Sequence, residues 1–145
     1  MTTLFFTEII PILQLSIGPV ILISGVGLLL LTLTNRFGRL LDRARLLSRD
    51  HPPTPAQAAG VRAQIAILQR RSAILRLSIT LGAVTVLLVP VLILVLFVSA
   101  LLKLEAGWLI VAIFCLSQLS LIGSMIAFIR DMNLALEAVR LEIGQ

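Results

Sequence analysis

Three long runs of apolar residues, none containing a charged side chain, dominate the amino-acid sequence. They cover residues 9–34, 77–102 and 108–129. A helix rises about 1.5 Å per residue, so about 20 residues cross the hydrocarbon core of a bilayer, and each run is that long. Because lipid offers no hydrogen bonds to a backbone, a spanning segment must satisfy its own backbone groups. The pattern therefore predicts three transmembrane helices.

The polar connection between the first two runs also has a helical pattern. Apolar residues recur at three- and four-residue spacing along 35–50 and again from about residue 56 to 76. The stretch between them contains Pro52, Pro53 and Pro55, and a residue before a proline is pushed out of the helical region. We predict that residues 35–76 form a helical hairpin that extends the first two membrane helices.

The tail after the third run completes the predicted fold. Four apolar residues at helical spacing define one side of residues 130–143: Met132, Leu136, Val139 and Ile143. We expect a short C-terminal amphipathic helix that packs on the hairpin. The predicted fold class is an all-α membrane protein, organised as a single membrane domain over residues 1–145.

Composition supports a membrane protein and excludes several other classes. Of the 145 residues, 59% are hydrophobic and 13% are charged, against about 45–50% and about 25% in an ordinary soluble domain. A soluble chain of this size buries only about two-thirds of its surface and cannot hide so much apolar area. The composition argues against a soluble enzyme, a secreted disulfide scaffold and a disordered chain.

The distribution of arginine predicts how the chain lies in the membrane. Residues 35–76 carry nine arginines and two aspartates, whereas residues 1–8 carry no lysine or arginine. The positive-inside rule then places the hairpin and the C-terminus in the cytoplasm and the N-terminus outside. The same rule explains the net charge of +5 without a nucleic-acid partner.

One narrow face of the first helix carries small or polar residues among leucine, isoleucine and valine. Within a sector about 60° wide, counted at about 100° per residue, lie Gln14, Gly18, Gly25 and Thr32, and beyond the apolar run Arg36, Arg39 and Arg43. This face can line a pore whose arginines attract anions at the cytoplasmic mouth. Alternatively, its small residues pack against another helix, and its arginines fix topology and contact anionic lipid head groups.

Two further clusters have helix-packing interpretations. Ser120, Gly123 and Ser124 have the small-residue spacing that lets membrane helices approach closely, which favours a helix contact over a solute site. Asp42 lies three residues from both Arg39 and Arg45, so a helix can hold its carboxylate between two guanidinium groups. Such a clamp can keep adjacent hairpins in register, or it can leave Arg36 and Arg43 to bind an anionic head group or ion.

The sequence contains no candidate for catalysis, cofactor binding or metal binding. Cys115 is the only cysteine and lies in an apolar run, and His51 is the only histidine and lies beside prolines. No phosphate-binding loop, zinc-protease motif or acidic cluster occurs. An intramembrane enzyme needs a nucleophile with its base, metal ligands or haem ligands. We therefore expect a protein that is not an enzyme and uses no cofactor.

Three short segments give the chain a family resemblance. The first span contains P-V-I-L-I-S-G-V-G from Pro19 to Gly27, and N-R-F-G-R-L-L-D-R-A-R follows from Asn35 to Arg45; Gln-Arg-Arg-Ser, from Gln69 to Ser72, precedes the second span. In these segments the chain resembles a bacterial domain-of-unknown-function family of small membrane proteins. The resemblance covers residues from about 9 to 135. It implies location in a bacterial inner membrane and implies no activity.

The leading functional hypothesis is a symmetric homo-oligomer that acts as an ion channel or pore. Three helices bury too little to enclose a solute path alone, so several copies are required, with the first helix facing the axis. One alternative is a non-conducting scaffold whose basic hairpin binds a cytoplasmic partner or anionic lipid. Another is a small subunit of a larger membrane enzyme. The expected partners are further copies of the chain and membrane lipids.

Overall fold

The computed structural model describes the backbone of residues 2–49 and 55–143. It describes the side chains of residues 10, 11, 14, 17–49, 55 and 57–136. Three helices occur in these residues: α1 (Thr2–Arg49), α2 (Pro55–Leu102) and α3 (Gly107–Ile143). The described part of the chain contains no β-strand. The all-α class predicted from the hydrophobic pattern is therefore confirmed.

All three helices are long and apolar enough to cross a membrane. The candidate spans cover Ile17–Arg49, Gln57–Leu102 and Gly107–Leu136. Within the most apolar 18 residues of each span, at most 22% of the positions are buried inside the chain. Large side chains such as Leu28 and Leu87 face outward, with 67% and 65% of their surface exposed. Such outward apolar surface needs lipid as its solvent, as expected for a multi-pass membrane protein.

The helices continue through residues that often interrupt them. α1 contains Pro11, Pro19 and Gly38, and α2 contains Pro90. Proline removes one backbone hydrogen bond, but the helical backbone on either side and the lipid surroundings keep these segments helical. At the start of α2, Pro55 occupies a first-turn position, where the missing amide has no helical partner anyway.

The C-terminal prediction needs a correction. Residues 130–143 do not form a separate short helix, because α3 continues unbroken from Gly107 to Ile143. No proline or glycine interrupts the sequence between Ile129 and Ile143, so nothing ends the helix at the last apolar residue of the span. The side chains of residues 137–143, which include half of the predicted amphipathic stripe, lie outside the described residues.

The helical arms predicted for residues 35–76 are continuations of α1 and α2. α1 extends beyond the first apolar run to Arg49, and α2 begins at Pro55, well before the second run. The predicted turn lies at residues 50–54, outside the described residues. The chain divides into two compact units: unit 1 is Met1–Leu29 with Leu81–Ile122, and unit 2 is Leu30–Thr80 with Gly123–Gln145.

Unit 1 contains the connection between α2 and α3. Lys103 adopts a left-handed backbone conformation with φ of 52°, and the Leu104 amide donates to the Ser99 carbonyl over 2.9 Å. This six-to-one hydrogen bond with a left-handed residue is the Schellman ending of a helix. α3 begins with the Ile110 amide donating to the Ala106 carbonyl over 3.1 Å. Val89 and Leu92 of α2 are buried in this unit.

Unit 2 contains parts of all three helices. Its buried apolar side chains come from every one of them: Leu33 and Leu40 from α1, Leu68 and Leu75 from α2, and Ala127 from α3. Leu33 and Leu75 have no exposed surface. Their complete burial marks the apolar core of unit 2.

Candidate functional site

A charged cluster joins the three helices of unit 2. The carboxylate of Asp131 on α3 accepts a hydrogen bond from Arg71 Nε on α2, with 3.1 Å between Nε and Oδ1. The second carboxylate oxygen, Oδ2, lies 3.4 Å from Arg36 Nε on α1. One carboxylate is therefore shared by two guanidinium groups that come from different helices.

Burial makes these ion pairs strong constraints on the fold. The side chain of Asp131 has no exposed surface, and those of Arg71 and Arg36 are 16% and 24% exposed. An isolated charge in such a place is very costly, so the carboxylate depends on its cationic partners. Asp131 Oδ2 accepts no hydrogen bond from the described residues and is held by the charge of Arg36. The cluster carries one positive charge in excess.

Arg36 is held by more than its ion pair. Its Nη1 group contacts the sulfur of Met132, and its guanidinium carbon lies 5.7 Å from the centre of the Phe128 ring. Both residues belong to α3, as Asp131 does. A guanidinium over an aromatic face gains from the electron density of the ring. Arg36 therefore ties α1 to α3 through three neighbouring side chains.

A reciprocal pair of serines joins α2 and α3 in unit 2. Ser78 Oγ donates to the Ser124 carbonyl over 2.7 Å, and Ser124 Oγ donates to the Ser78 carbonyl over 2.8 Å. The two hydroxyl oxygens lie 3.3 Å apart, and both side chains are fully buried. Side chains as small as serine let the two backbones come close enough for these bonds.

Hydroxyl groups also join α2 and α3 in unit 1. Ser120 Oγ donates to the Leu81 carbonyl over 2.8 Å. Thr85 Oγ1 lies 3.1 Å from the Leu81 carbonyl oxygen and 3.3 Å from that of Ser117. Ser117 and Thr85 are fully buried. The hydroxyl groups of Ser120 and Thr85 thus find their hydrogen-bond acceptors within the chain.

Heptad spacing explains why these residues meet. In unit 2 the contacting α2 positions 68, 71, 75 and 78 alternate by three and four residues, as do the α3 positions 124, 127 and 131. In unit 1 the buried α2 positions 82, 85, 89 and 92 have the same alternation. Such spacing keeps one seam of a helix facing a neighbour along its length. Polar residues on that seam are therefore brought together.

The small and polar residues predicted on one face of α1 lie on the outside of the chain. Gln14, Gly18, Gly25 and Thr32 are all exposed. A Cβ atom added at Gly18 or Gly25 would meet nothing within 4 Å. Gly18 also borders a cavity of about 330 Å³ in unit 1, which Pro19, Phe114 and Gln118 help to line. Among the described residues, these four α1 positions thus stay exposed, although Gly18 lies beside a cavity that α2 and α3 also line.

The predicted arginine and aspartate sites of the α1 arm differ in their surroundings. Arg36 belongs to the buried cluster, whereas Arg39 and Arg43 are exposed. Arg45 Nη1 lies 4.0 Å from Asp42 Oδ1, and these side chains are 74% and 72% exposed. An exposed pair at this distance contributes little to stability.

On α3, Ser120 and Ser124 are buried at the α2 contact and Gly123 is partly buried.

The charged cluster of Arg36, Arg71 and Asp131 was not predicted from the sequence. Spacing does put Asp131 on the same face of α3 as Ser117 and Ser124, at intervals of seven residues. Arg71 likewise lies seven residues before Ser78 on α2. This shared heptad interval was the available signal that the carboxylate faces Arg71.

Among the described residues no group of three metal-ligating side chains occurs, and Cys115 is an exposed free thiol.

Comparison with known proteins identifies the family. A family model described as "Protein of unknown function (DUF2721)" matches residues 16–141, which is 126 of the 145 residues. The chain belongs to the DUF2721 family. The resemblance to an uncharacterised domain family is thus confirmed, and the matched region includes the charged cluster and the serine pair. No curated protein and no solved structure matches the chain.

Proposed function

We propose that this DUF2721 protein assembles as a symmetric homo-oligomer in a bacterial inner membrane and forms an ion channel or pore. The supporting observation is the exposure of Gln14, Gly18, Gly25 and Thr32 within a membrane span whose other residues are mostly apolar. In this proposal the arms formed by residues 35–49 and 55–76 make a cytoplasmic hairpin. The N-terminus lies outside the cell and the C-terminus in the cytoplasm.

An oligomer would provide the hydrogen bonds and helix contacts that lipid does not offer to one face of α1. The Gln14 side chain is exposed within the first apolar run, where hydrocarbon offers an amide no hydrogen bonds. Gly18 and Gly25 leave room on the same helix for close approach of another helix. A second copy, or water on a central axis, would solvate the Gln14 amide better than acyl chains do.

The argument for a pore rests on charge at one end of α1. Arg39 and Arg43 are exposed and follow the apolar span directly. Repeated around a symmetry axis, they would form rings that concentrate anions and repel cations. Arg36 has a different role in this proposal, because Asp131 and Phe128 hold its guanidinium inside the chain.

The oligomer is tested with two matched glycine variants. Gly25→Leu places a large side chain where the next copy is proposed to approach α1, whereas Gly27→Leu places it about 200° around the helix. Both glycines are exposed, and an added Cβ meets nothing within 4 Å at either. Mass measurement in detergent should show a defined oligomer for the wild type and Gly27→Leu and smaller species for Gly25→Leu. A monomeric wild type, or equal behaviour of both variants, contradicts the proposed interface.

Conduction is tested on the same preparations. Wild-type protein in planar bilayers or liposomes should pass anions in preference to cations, and Arg39→Glu should shift the preference toward cations. Arg62→Glu, at an exposed arginine on α2, is the control and should leave the preference unchanged. A verified oligomer that passes no ions contradicts the pore and leaves a non-conducting assembly.

The second candidate function is a scaffold that recruits an acidic cytoplasmic partner or anionic lipid. Unit 2 exposes many arginines, namely Arg39, Arg43, Arg45, Arg49, Arg62, Arg70, Arg76 and Arg130. Asp42 is the exposed carboxylate among its described side chains. This excess predicts salt-sensitive binding and no ion flux. Binding that survives joint replacement of Arg39, Arg43 and Arg45 by glutamine would contradict it, and stable co-purification with a membrane enzyme would favour a subunit role.

The proposed orientation has its own test. Cys115 is the only cysteine, so a Cys115→Ala background permits single-cysteine labelling. In intact cells, a membrane-impermeant maleimide should leave Ser48→Cys unlabelled and should label it after the membrane is opened. Labelling of Ser48→Cys in intact cells would show that the hairpin lies outside, which contradicts the proposed orientation.

A further inference from the structure

A groove between α1 and α2 opens on the surface of unit 2. It encloses about 530 Å³, a volume typical of sites for small organic ligands. Phe37 and Leu41 of α1 form one wall, and five residues of α2 form the other: Ser72, Ala73, Arg76, Leu77 and Thr80. This groove is separate from the α2–α3 seam and from the charged cluster at Asp131.

The lining of the groove is apolar apart from one cation. The hydroxyl groups of Ser72 and Thr80 donate to carbonyls of their own helix, at Gln69 over 2.8 Å and at Arg76 over 2.9 Å. The Arg76 guanidinium is exposed, and no described carboxylate lies within 4.0 Å of it. A ligand that fits must therefore combine an apolar body with a negatively charged group.

The groove lies where the chain passes from charged to uncharged sequence. Arg76 is the last charged residue before the apolar run of α2, and Leu77 is the first residue of that run. On α1, Phe37 lies three residues beyond the end of the first apolar run. In a membrane-inserted chain this level is that of the lipid head groups. Membrane lipids therefore have direct access to the groove.

We propose that the groove is a binding site for an anionic phospholipid. The lipid phosphate pairs with the Arg76 guanidinium, a charge-assisted contact that suits the planar donor. The part of an acyl chain nearest the head group lies against Leu77 and Phe37. The arginine excess on the surface of unit 2 raises the local concentration of anionic lipid and provides the charge complementarity. The site belongs to one chain, so it goes beyond the proposed oligomer and does not depend on it.

The test compares lipids retained by the full-length protein. Wild-type protein is purified from vesicles containing equal amounts of phosphatidylglycerol and phosphatidylcholine, and bound lipid is counted by native mass spectrometry. One phosphatidylglycerol per chain should be retained. Arg76→Gln should reduce its retention about tenfold, and Arg76→Lys, which keeps the charge, should retain more than Arg76→Gln. Ala73→Leu, which fills the groove, should also reduce retention.

Matched controls separate the groove from general attraction to positive charge. Arg62→Gln and Ala66→Leu make the same kinds of change at exposed positions of α2 outside the groove. They should retain far more phosphatidylglycerol than Arg76→Gln and Ala73→Leu. Inorganic phosphate should not displace the lipid at concentrations where short-chain phosphatidylglycerol does. Equal retention by Arg76→Gln and Arg62→Gln, or no effect of Ala73→Leu, overturns the proposal. Oligomer mass, measured on the same samples, reports on the proposed assembly separately.

Discussion

Ser78 and Ser124 each donate a hydrogen bond to the backbone carbonyl of the other, over 2.7 and 2.8 Å. Because both groups are fully buried, the pair satisfies two hydroxyl groups without water. It also requires α2 and α3 to lie close together, which a larger residue at either position prevents. The contact between these helices is therefore specified by small polar residues as well as by apolar ones.

Removing one hydroxyl of this pair is expected to destabilise the chain modestly. Ser78→Ala and Ser124→Ala should each lower the free energy of unfolding in detergent by about 0.6–1.7 kcal/mol, the average and the maximum found for hydrogen bonds between helices of a membrane protein. The double variant should lose less than the sum, because both hydroxyl groups act on one contact. SDS titration followed by circular dichroism measures these differences.

Serine at another position of α2 provides the control for that measurement. Ser72 donates only within its own helix, to the Gln69 carbonyl, so Ser72→Ala should change stability by less than about 0.5 kcal/mol. Equal effects at Ser72 and Ser78 would show that the contact between helices contributes nothing beyond local helix stability.

Loss of the Asp131 carboxylate is expected to destabilise the chain more strongly. Asp131→Ala leaves Arg36 and Arg71 largely buried without their shared anion and should cost about 3–5 kcal/mol. Asp131→Asn should cost less, because an amide oxygen still accepts the hydrogen bond from Arg71. The midpoints of SDS unfolding curves compare the two variants.

A double-variant cycle keeps this prediction testable. If Asp131→Ala alone does not fold, Asp131→Ala with Arg71→Leu should restore part of the lost stability, since it removes one uncompensated charge. Asp42→Ala is the control, because the exposed pair with Arg45 is 4.0 Å long and its loss should change stability by less than about 1 kcal/mol. Similar losses at Asp42 and Asp131 would contradict the assigned importance of burial.

The end of α2 offers a stabilising substitution. Lys103 holds a φ of 52°, a conformation that costs a side chain-bearing residue roughly 1 kcal/mol and costs glycine little. Lys103→Gly should therefore raise the free energy of unfolding by up to about 1 kcal/mol. Glu105→Gly, in the same connection outside a positive φ, should lower it or leave it unchanged. A loss of stability in Lys103→Gly would mean that the lysine side chain makes a stabilising contact.

Glycine in the exposed face of α1 is expected to be dispensable for the fold of one chain. A Cβ atom added at Gly25 or Gly27 meets no atom within 4 Å. Alanine is more favourable than glycine in a helix by about 1 kcal/mol. Both variants should keep or raise stability under conditions where the chain is monomeric. A clear loss in either variant would show that another part of the chain covers that glycine.

Much of the fold is predictable because lipid imposes simple rules on sequence. The uncharged runs at residues 9–34, 77–102 and 108–129 all belong to the three helices of the structure. The end of the third helix is less predictable, since Arg130 and Asp131 mark the edge of an apolar run without ending a helix. Hydropathy reports the surroundings of a segment, whereas helix ends depend on capping and on backbone-breaking residues.

The charged cluster is hard to predict for a different reason. Arg71 and Asp131 are 60 residues apart in sequence, and Arg36 is farther still. Positive charge beside a membrane span already has an explanation in topology, so the arginines alone gave no reason to expect an ion pair. The exposed face of α1 has the opposite problem. The spacing shows that Gly18 and Gly25 lie on the same side of the helix, but it does not show which partner contacts that side.

The ion pair of Asp131 with Arg71 restricts how α3 can slide along α2. The positions seven residues to either side of Arg71 are Gln64 and Ser78, both neutral. A shift of α3 by one heptad would preserve apolar contacts but leave the carboxylate opposite an uncharged side chain and shielded from water. Misaligned arrangements are thus penalised electrostatically during insertion and assembly. A single acidic residue thus adds an electrostatic penalty for a shifted register to the hydrogen bonds that already align these two apolar helices.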